Sequence, residues 1–367
     1  MRTLVTGDPE KAGLDPNQLN YAYQTVERWS EARKIPGAVL AIGRHGILVG
    51  PRAIGLASLE PEEKPLRPDA LYDLASVTKV VATTTCALML IEHGAMRLDD
   101  PVSFFLPEFK HETVAIRHLL THSSGLPAWR PLYQSNATPQ EMISTLMQLP
   151  LEYETGQRVV YSCLGYILLA QVIEHVSATP LDELARTEVF APLGMLDTMY
   201  RPDAQRRQRA VPTERDSRTG QFKQGVVHDE NAFGLGGVSG NAGLFSTAAD
   251  TAIFCQMLLN KGCYGATRIL SPAMVGLATA NHTGHLNDSR GLGWVIKGHH
   301  RWSSAGDLFS PSSFGHTGFT GTSLWIDPVC DLFLVLLTNG VHPAREAAQH
   351  IRLRPLVANA VASAIVQ

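Results

Sequence analysis

Strand-like segments lie at both ends of the chain and helical ones lie between them, and this order constrains the fold more than any other feature. Near the start, "GAVLAIGRHGILVG" reads as two strands around a His45-Gly46 turn, an antiparallel hairpin. In the last quarter, "GLGWVIK", "SFGHTGF", "TSLWIDP" and "DLFLVLLTNG" are four short β-rich segments separated by turn residues. Between them, apolar spacing predicts helices over 76–93, 115–121, 139–149, 162–177, 181–189, 247–260 and 271–280. Asp15-Pro16 is a capped start for "PNQLNYAYQTVERWSEARK", and 346–365 reads as a closing helix. Residues 200–243 are rich in Arg, Gly and Asn without a clear period, and read as long irregular connections. A sheet completed by distant segments, with a helical region inserted into it, is an α+β arrangement. We expect one domain over 1–367, with a sheet region of 12–75 plus 286–367 and a mainly helical region of 76–285.

Bulk composition narrows the function. Apolar residues make up 44% and charged residues 18%, and net charge is −3, so no basic field favours nucleic acid or an anionic membrane. "RRQR" at 206–209 reads as a solvated loop patch. The uncharged apolar run 80–91 is too short to span a bilayer. The five cysteines (Cys86, Cys163, Cys255, Cys263, Cys330) are scattered and fit reduced thiols. "MRTLVTGDPEKAGLDPNQL" carries no apolar signal core, which predicts a cytoplasmic location, or a periplasmic one for a chain trimmed of its leader.

Within the first long helix, "LASVTKVV" (74–81) sets Lys79 in an apolar run with Ser76 one turn before it. Burying an ammonium without a partner costs several kcal/mol, ~3–5 for a broken pair, so a role is expected for it. Residues three apart on a helix share a face, so the Lys79 amine can reach the Ser76 hydroxyl. Apolar surroundings are expected to lower the lysine's pKa and let it act as a base on a serine nucleophile. A lysine that snorkels out of the helix surface is the alternative. Downstream, "VVYSCLGY" (159–166) places Tyr161 before an apolar helix, where it either projects from a loop or packs in the core. "FGHTGFTG" (314–321) is strand-like, and its glycines permit close backbone approach to a ligand.

Taken in order, Ser76-Val77-Thr78-Lys79, Tyr161-Ser162-Cys163 and His316-Thr317-Gly318 resemble the three motifs of the serine β-lactamase and penicillin-binding protein superfamily. The likeness is greatest to the class C β-lactamase-like branch, which includes family VIII esterases and D-amino-acid peptidases. "LLTHSSGLP" (119–127), "AGLFSTAAD" (242–250) and "LLTNGVHP" (336–343) are similar to landmark stretches of that branch. The resemblance runs from about residue 10 to 365. It implies a β-lactamase/transpeptidase-like fold, an antiparallel sheet flanked by helices, and a serine hydrolase that cleaves an ester or amide through an acyl-enzyme on Ser76, with proton transfer shared by Lys79 and Tyr161. It also implies an oxyanion hole from the backbone N–H groups of Ser76 and Phe319, with no metal or cofactor.

Two positions depart from that pattern. Cys163 stands where the family usually has Asn, and a thiol is a poor partner for an acylamino side chain. His316 stands where lactamases and peptidases mostly carry lysine, and a histidine is largely neutral at pH 7. Both changes point away from penicillins and cell-wall peptides and toward a small-molecule carboxylic ester. A β-lactamase or D-amino-acid peptidase using the same site is the alternative, and a non-catalytic binding or scaffold member is the alternative of another class. No feature speaks to oligomeric state. His282, His285, His299 and His300 read as loop histidines rather than metal ligands, and His228-Asp229-Glu230 reads equally as a cleft border or a structural loop.

Overall fold

The computed structural model describes residues 1–134, 137–216, 219–298, 303–345 and 349–366. Among the described residues the main sheet has eight strands. Seven are β1 (Val5–Thr6), β2 (Gly37–Arg44), β3 (Ile47–Ser58), β4 (Val295–Ile296), β5 (Phe314–Thr317), β6 (Ser323–Asp327) and β7 (Leu332–Thr338). They run β1-β3-β2-β7-β6-β5-β4 across the sheet, and the short Lys64–Pro65 strand pairs with β3. The expected hairpin is present: β2 and β3 are antiparallel, joined by His45 and Gly46 at φ 56° and 80°. Both turn residues are left-handed, which matches the twist of the flanking strands. The sheet joins the two ends of the chain where β2 pairs with β7. It is mixed rather than wholly antiparallel, because β1 runs parallel to β3.

Alternation along β2 and β7 divides the interior into two cores. Val39 and Ala41, with Phe333, Val335 and Leu337, face a core shared with the central helices. Ala38, Leu40 and Ile42, with Leu332, Leu334 and Leu336, face a second core under two outer helices, α1 (Pro16–Glu31) and α5 (His350–Ala362). A strand buried on both faces reads as a continuous apolar run, which "DLFLVLLTNG" is. Each such Leu or Val contributes roughly 1.5–3 kcal/mol by leaving water. α1 starts where expected: the Asp15 side chain accepts from Asn17 N–H at 2.8 Å and Pro16 opens the helix. Of the closing segment, residues 346–348 lie outside the described residues.

On the other side, α2 (Thr85–Glu92), α3 (Cys163–Ser177) and α4 (Ala248–Leu259) pack in the larger core. The stretch expected to be one helix over 76–93 is composite. A 3₁₀ turn (Ala75–Val77) leads through a π-helical segment (Lys79–Thr84) into α2. Thr85 Oγ1 donates to the Val80 carbonyl, five residues back, in keeping with the wider segment. Ala75–Glu92 reaches the length and apolarity of a membrane-crossing helix, longer than the run 80–91 implied, but 72% of it is buried inside the protein. The 200–243 stretch contains short elements, among them Ala204–Arg207, Pro212–Arg215, Phe222–Gln224 and Glu230–Gly234. Distant side chains anchor two of them: Asn339 Nδ2 donates to the Pro212 carbonyl at 2.8 Å, and Arg345 bonds to Glu214 and Glu230.

Candidate active site

The turn before Ser76 is held from three directions. Tyr72–Asp73 pairs with Leu244–Ser246, and Leu74 N–H donates to the Leu244 carbonyl at 2.9 Å. The buried Asp73 carboxylate accepts from the backbone N–H of Ala75 at 2.8 Å and of His228 at 2.6 Å. Ala75 sits at φ 46°, a left-handed conformation that a non-glycine residue adopts only when its surroundings impose it. From the sheet side, the Thr320 and Thr322 hydroxyls donate to the carbonyls of Asp73 and Leu74 at 2.8 and 2.9 Å. Gly318 lies so near that a Cβ there would stand 2.4 Å from the Leu74 carbonyl oxygen and 2.2 Å from Thr322 Oγ1. Only glycine lets the strand end this close to the serine turn. The Arg354 guanidinium, from α5, donates to the Gly318 and Thr322 carbonyls at 2.6 and 3.0 Å.

Lys79 is fully buried, and its ammonium has three acceptors for three hydrogens. Nζ donates to Ser76 Oγ at 3.1 Å, Cys163 Sγ at 3.6 Å and the Asn241 carbonyl at 2.9 Å. It also lies 4.9 Å from the centre of the Tyr161 ring. The lysine does not snorkel, and burial does not leave it neutral. Burial alone lowers its pKa, but the acidic groups of Cys163 and Tyr161 more than offset this and raise it. The expectation of a depressed lysine is therefore corrected: the low-dielectric site holds partners along with the charge. Burial raises the Tyr161 phenol as well, against the opposing pull of Lys79. Both groups keep their protons at neutral pH.

Tyr161 projects from a loop pinned on both sides to His122. Val160 N–H donates to the His122 carbonyl at 2.9 Å, and Ser162 N–H donates to His122 Nδ1 at 3.1 Å. The two rings pack at 4.5 Å. An accepting Nδ1 fixes the His122 proton on Nε2, and burial keeps the ring neutral by pushing its pKa well below the usual value. Ser162 caps α3 by accepting from Gly165 N–H at 3.1 Å, which leaves Cys163 at the first helical position.

A cavity of about 860 Å³ brings these groups together, and Ser76, Tyr161, Cys163, His316, Thr317, Gly318 and Phe319 all line it. Lys79 lies behind the wall, joined to the cavity through Ser76. Cys163 is a polar neighbour of the lysine. The His228-Asp229-Glu230 loop borders the cavity. His228 Nε2 lies 3.2 Å from Glu214 Oε1, and Arg345 bonds to both Glu214 and Glu230. Burial acts to raise the Glu214 carboxyl, yet Arg345 and His228 outweigh it and hold Glu214 far below the usual carboxylate range. The Phe319 ring rests between His228 and Arg345, 5.5 and 5.6 Å from them.

His316 is 2% exposed, and burial, followed by the charges of Lys79 and Arg290, pushes its pKa well below the usual value. Arg290 is a residue that sequence reasoning missed. Asp288 holds it through Nε at 2.8 Å, and its guanidinium lies 5.7 Å from the Tyr161 ring at the cavity wall. His122 and Asn241 were also missed as site residues. His122 falls inside "LLTHSSGLP", but Asn241 acts through its backbone, which no side-chain motif reveals. Among the described residues no group of three metal-ligating side chains converges, and His299 and His300 lie outside those residues.

The sheet with its inserted helical region, and a serine and a lysine at the root of one helix, define a β-lactamase/transpeptidase-fold hydrolase. The Beta-lactamase family profile matches residues 22–359, and the chain belongs to that family. A putative D-alanyl-D-alanine carboxypeptidase of Escherichia coli O157:H7 is 33% identical over 92% of this chain and 86% of the relative. An N-acetylmuramyl-L-alanine amidase of Bacillus subtilis (strain 168) is 34% identical over 91% and 83%. Among solved structures, EstCE1, a hydrolase with promiscuous acyltransferase activity, superposes with a TM-score of 0.75 at 25% identity, covering 94% of this chain and 99% of its own. A class C beta-lactamase of Rhodobacter sphaeroides shares the fold, with a TM-score of 0.73 at 20% identity over 95% of this chain and 100% of its own.

Proposed function

We propose that the protein hydrolyses a small carboxylic ester through an acyl-enzyme on Ser76. The observation that carries this reading is the three-way hydrogen bonding of buried Lys79, which holds its ammonium 3.1 Å from Ser76 Oγ on the cavity wall. Ser76 Oγ attacks the substrate carbonyl as its proton passes to the Lys79–Tyr161 pair, once that pair has released a proton of its own. The negative charge that develops on the carbonyl oxygen faces the backbone N–H groups of Ser76 and Phe319. The alcohol then leaves with a proton from the same pair, and water repeats the sequence to free the acid. Thr317 and Gly318 form the strand wall along which the substrate lies, and the chemistry needs no cofactor. The ester preference rests on Cys163, whose thiol replaces an amide, and on neutral His316, which supplies no fixed charge for a carboxylate.

A second reading, cleavage of a cell-wall amide, is favoured by the relatives at 33% and 34% identity, a putative D-alanyl-D-alanine carboxypeptidase and an N-acetylmuramyl-L-alanine amidase. Steady-state assays with p-nitrophenyl acetate, a penicillin and a D-alanyl-D-alanine peptide separate the two. The ester should turn over fastest, and Ser76→Ala should abolish its hydrolysis. Faster cleavage of the penicillin or the peptide would replace the first reading by the second.

A further inference from the structure

His316 differs from a lysine in more than charge. Its Nδ1 lies 2.9 Å from the Thr317 carbonyl oxygen, which can only accept, so the ring proton of the neutral imidazole sits on Nδ1. Nε2 is then a bare acceptor. It is buried, it has no hydrogen-bond partner among the described residues, and its ring forms part of the cavity wall beside Tyr161, 6.0 Å away. Arg290 also lines the cavity, and its Nη1 is a buried donor without a partner among the described residues, although Asp288 engages the rest of that guanidinium. A lysine presents donors only, so this wall has the opposite hydrogen-bonding sense at the position of the histidine.

An orphaned acceptor and an orphaned donor, both out of water, cost stability until something pairs with them. We propose that His316 is a specificity residue: its Nε2 accepts a hydrogen bond from a neutral group on the substrate, a hydroxyl or a carboxamide, and Arg290 Nη1 donates to the oxygen of that group. A hydroxyl or a carboxamide can donate and accept at once. A methyl group leaves both protein atoms unpaired, and a carboxylate has no hydrogen to give to Nε2. A site built to bond a substrate hydroxyl or amide discriminates strongly against an analogue that lacks it, so at least about a tenfold preference in kcat/KM is expected. This inference rests on the ester reading above, because it describes the substrate of that reaction.

Matched small esters test it, each ending in a methyl, hydroxyl, carboxamide or carboxylate group, placed on the acyl chain or on the alcohol. Hydrolysis is followed by pH-stat titration. For at least one placement, the wild type should prefer the hydroxyl or the carboxamide over methyl by about tenfold or more. His316→Phe should bring that ratio close to one, and His316→Lys should move the preference to the carboxylate ester. Should His316→Phe fail to fold by thermal melting, the lysine variant alone decides. A wild-type ratio near one, a preference for carboxylate, or a ratio that survives removal of the imidazole would overturn the proposal. Unchanged hydrolysis of every ester by Ser76→Ala would instead overturn the acyl-enzyme reading and leave the selectivity of His316 as measured.

Discussion

Two parts of the site hold their buried polar atoms differently. On the serine wall, every ammonium hydrogen of Lys79 has an acceptor, both oxygens of Asp73 have donors, and two threonine hydroxyls tie the serine turn to the sheet. Arg290 Nη1 and His316 Nε2, which belong to residues lining the cavity, are buried without hydrogen-bond partners among the described residues. A buried group left unpaired costs about 1–3 kcal/mol. The saturated wall fixes a geometry in advance, which is what a nucleophile requires. On our proposal, a substrate group supplies the partners of His316 Nε2 and Arg290 Nη1.

The largest test of this contrast is Ser76→Ala, which should lower ester turnover on the order of a millionfold while thermal melting stays near wild type. Retention of even a tenth of the rate would remove Ser76 from the reaction. Gly318→Ala comes next. Its new Cβ would meet the Leu74 carbonyl and Thr322 Oγ1 at 2.4 and 2.2 Å, forcing the strand away from the serine turn. A loss of about a hundredfold or more in kcat is expected from such misplacement, and a wild-type rate would show that the close approach is dispensable.

Lys79→Met and Tyr161→Phe should each cost at least on the order of a hundredfold in kcat, and the double variant should lose less than the product. Multiplicative losses would mean that the two act separately. Both groups have raised pKa values, so the form able to take the serine proton accumulates only as pH climbs above neutral. The rate should accordingly rise with pH from 7 upward, and Tyr161→Phe should displace that limb. A flat profile in the wild type would show that neither proton controls the reaction.

Much of the reaction centre was legible in the sequence, because its chemistry is local. Ser76 and Lys79 share one turn, Tyr161 stands at a helix entrance, and the glycines of 314–321 signal close approach. The hairpin and the β-rich last quarter were equally readable, since strand alternation needs only neighbouring residues. What could not be read is long-range. Asn241 meets Lys79 across 162 positions and through a backbone carbonyl, and Arg290 carries no motif of its own. The sign of the Lys79 shift also depended on its neighbours. An apolar flank predicts a depressed pKa, whereas the folded site sets a phenol and a thiol against the amine.

A smaller effect concerns stability. Burial, with help from Arg354, lowers His350 to about 4, and His122 and His316 also lie well below the usual value. The unfolded chain takes up these protons near pH 6.5 and the folded chain does not. Their contribution is therefore complete above about 6.5 and is lost as pH falls toward 4. Melting temperature should decline across that window, and His350→Asn should flatten the decline. Identical acid profiles for the variant and the wild type would remove His350 from the effect.

Trapping the intermediate tests the central claim most directly. The enzyme is mixed with a slowly deacylating p-nitrophenyl ester, quenched in acid within the first turnovers, and analysed by intact mass and peptide mapping. We predict one acyl group per chain, on the peptide that contains Ser76, and none on Ser76→Ala. Acylation of Cys163 in place of Ser76, or hydrolysis with no covalent adduct at any time, would contradict the account.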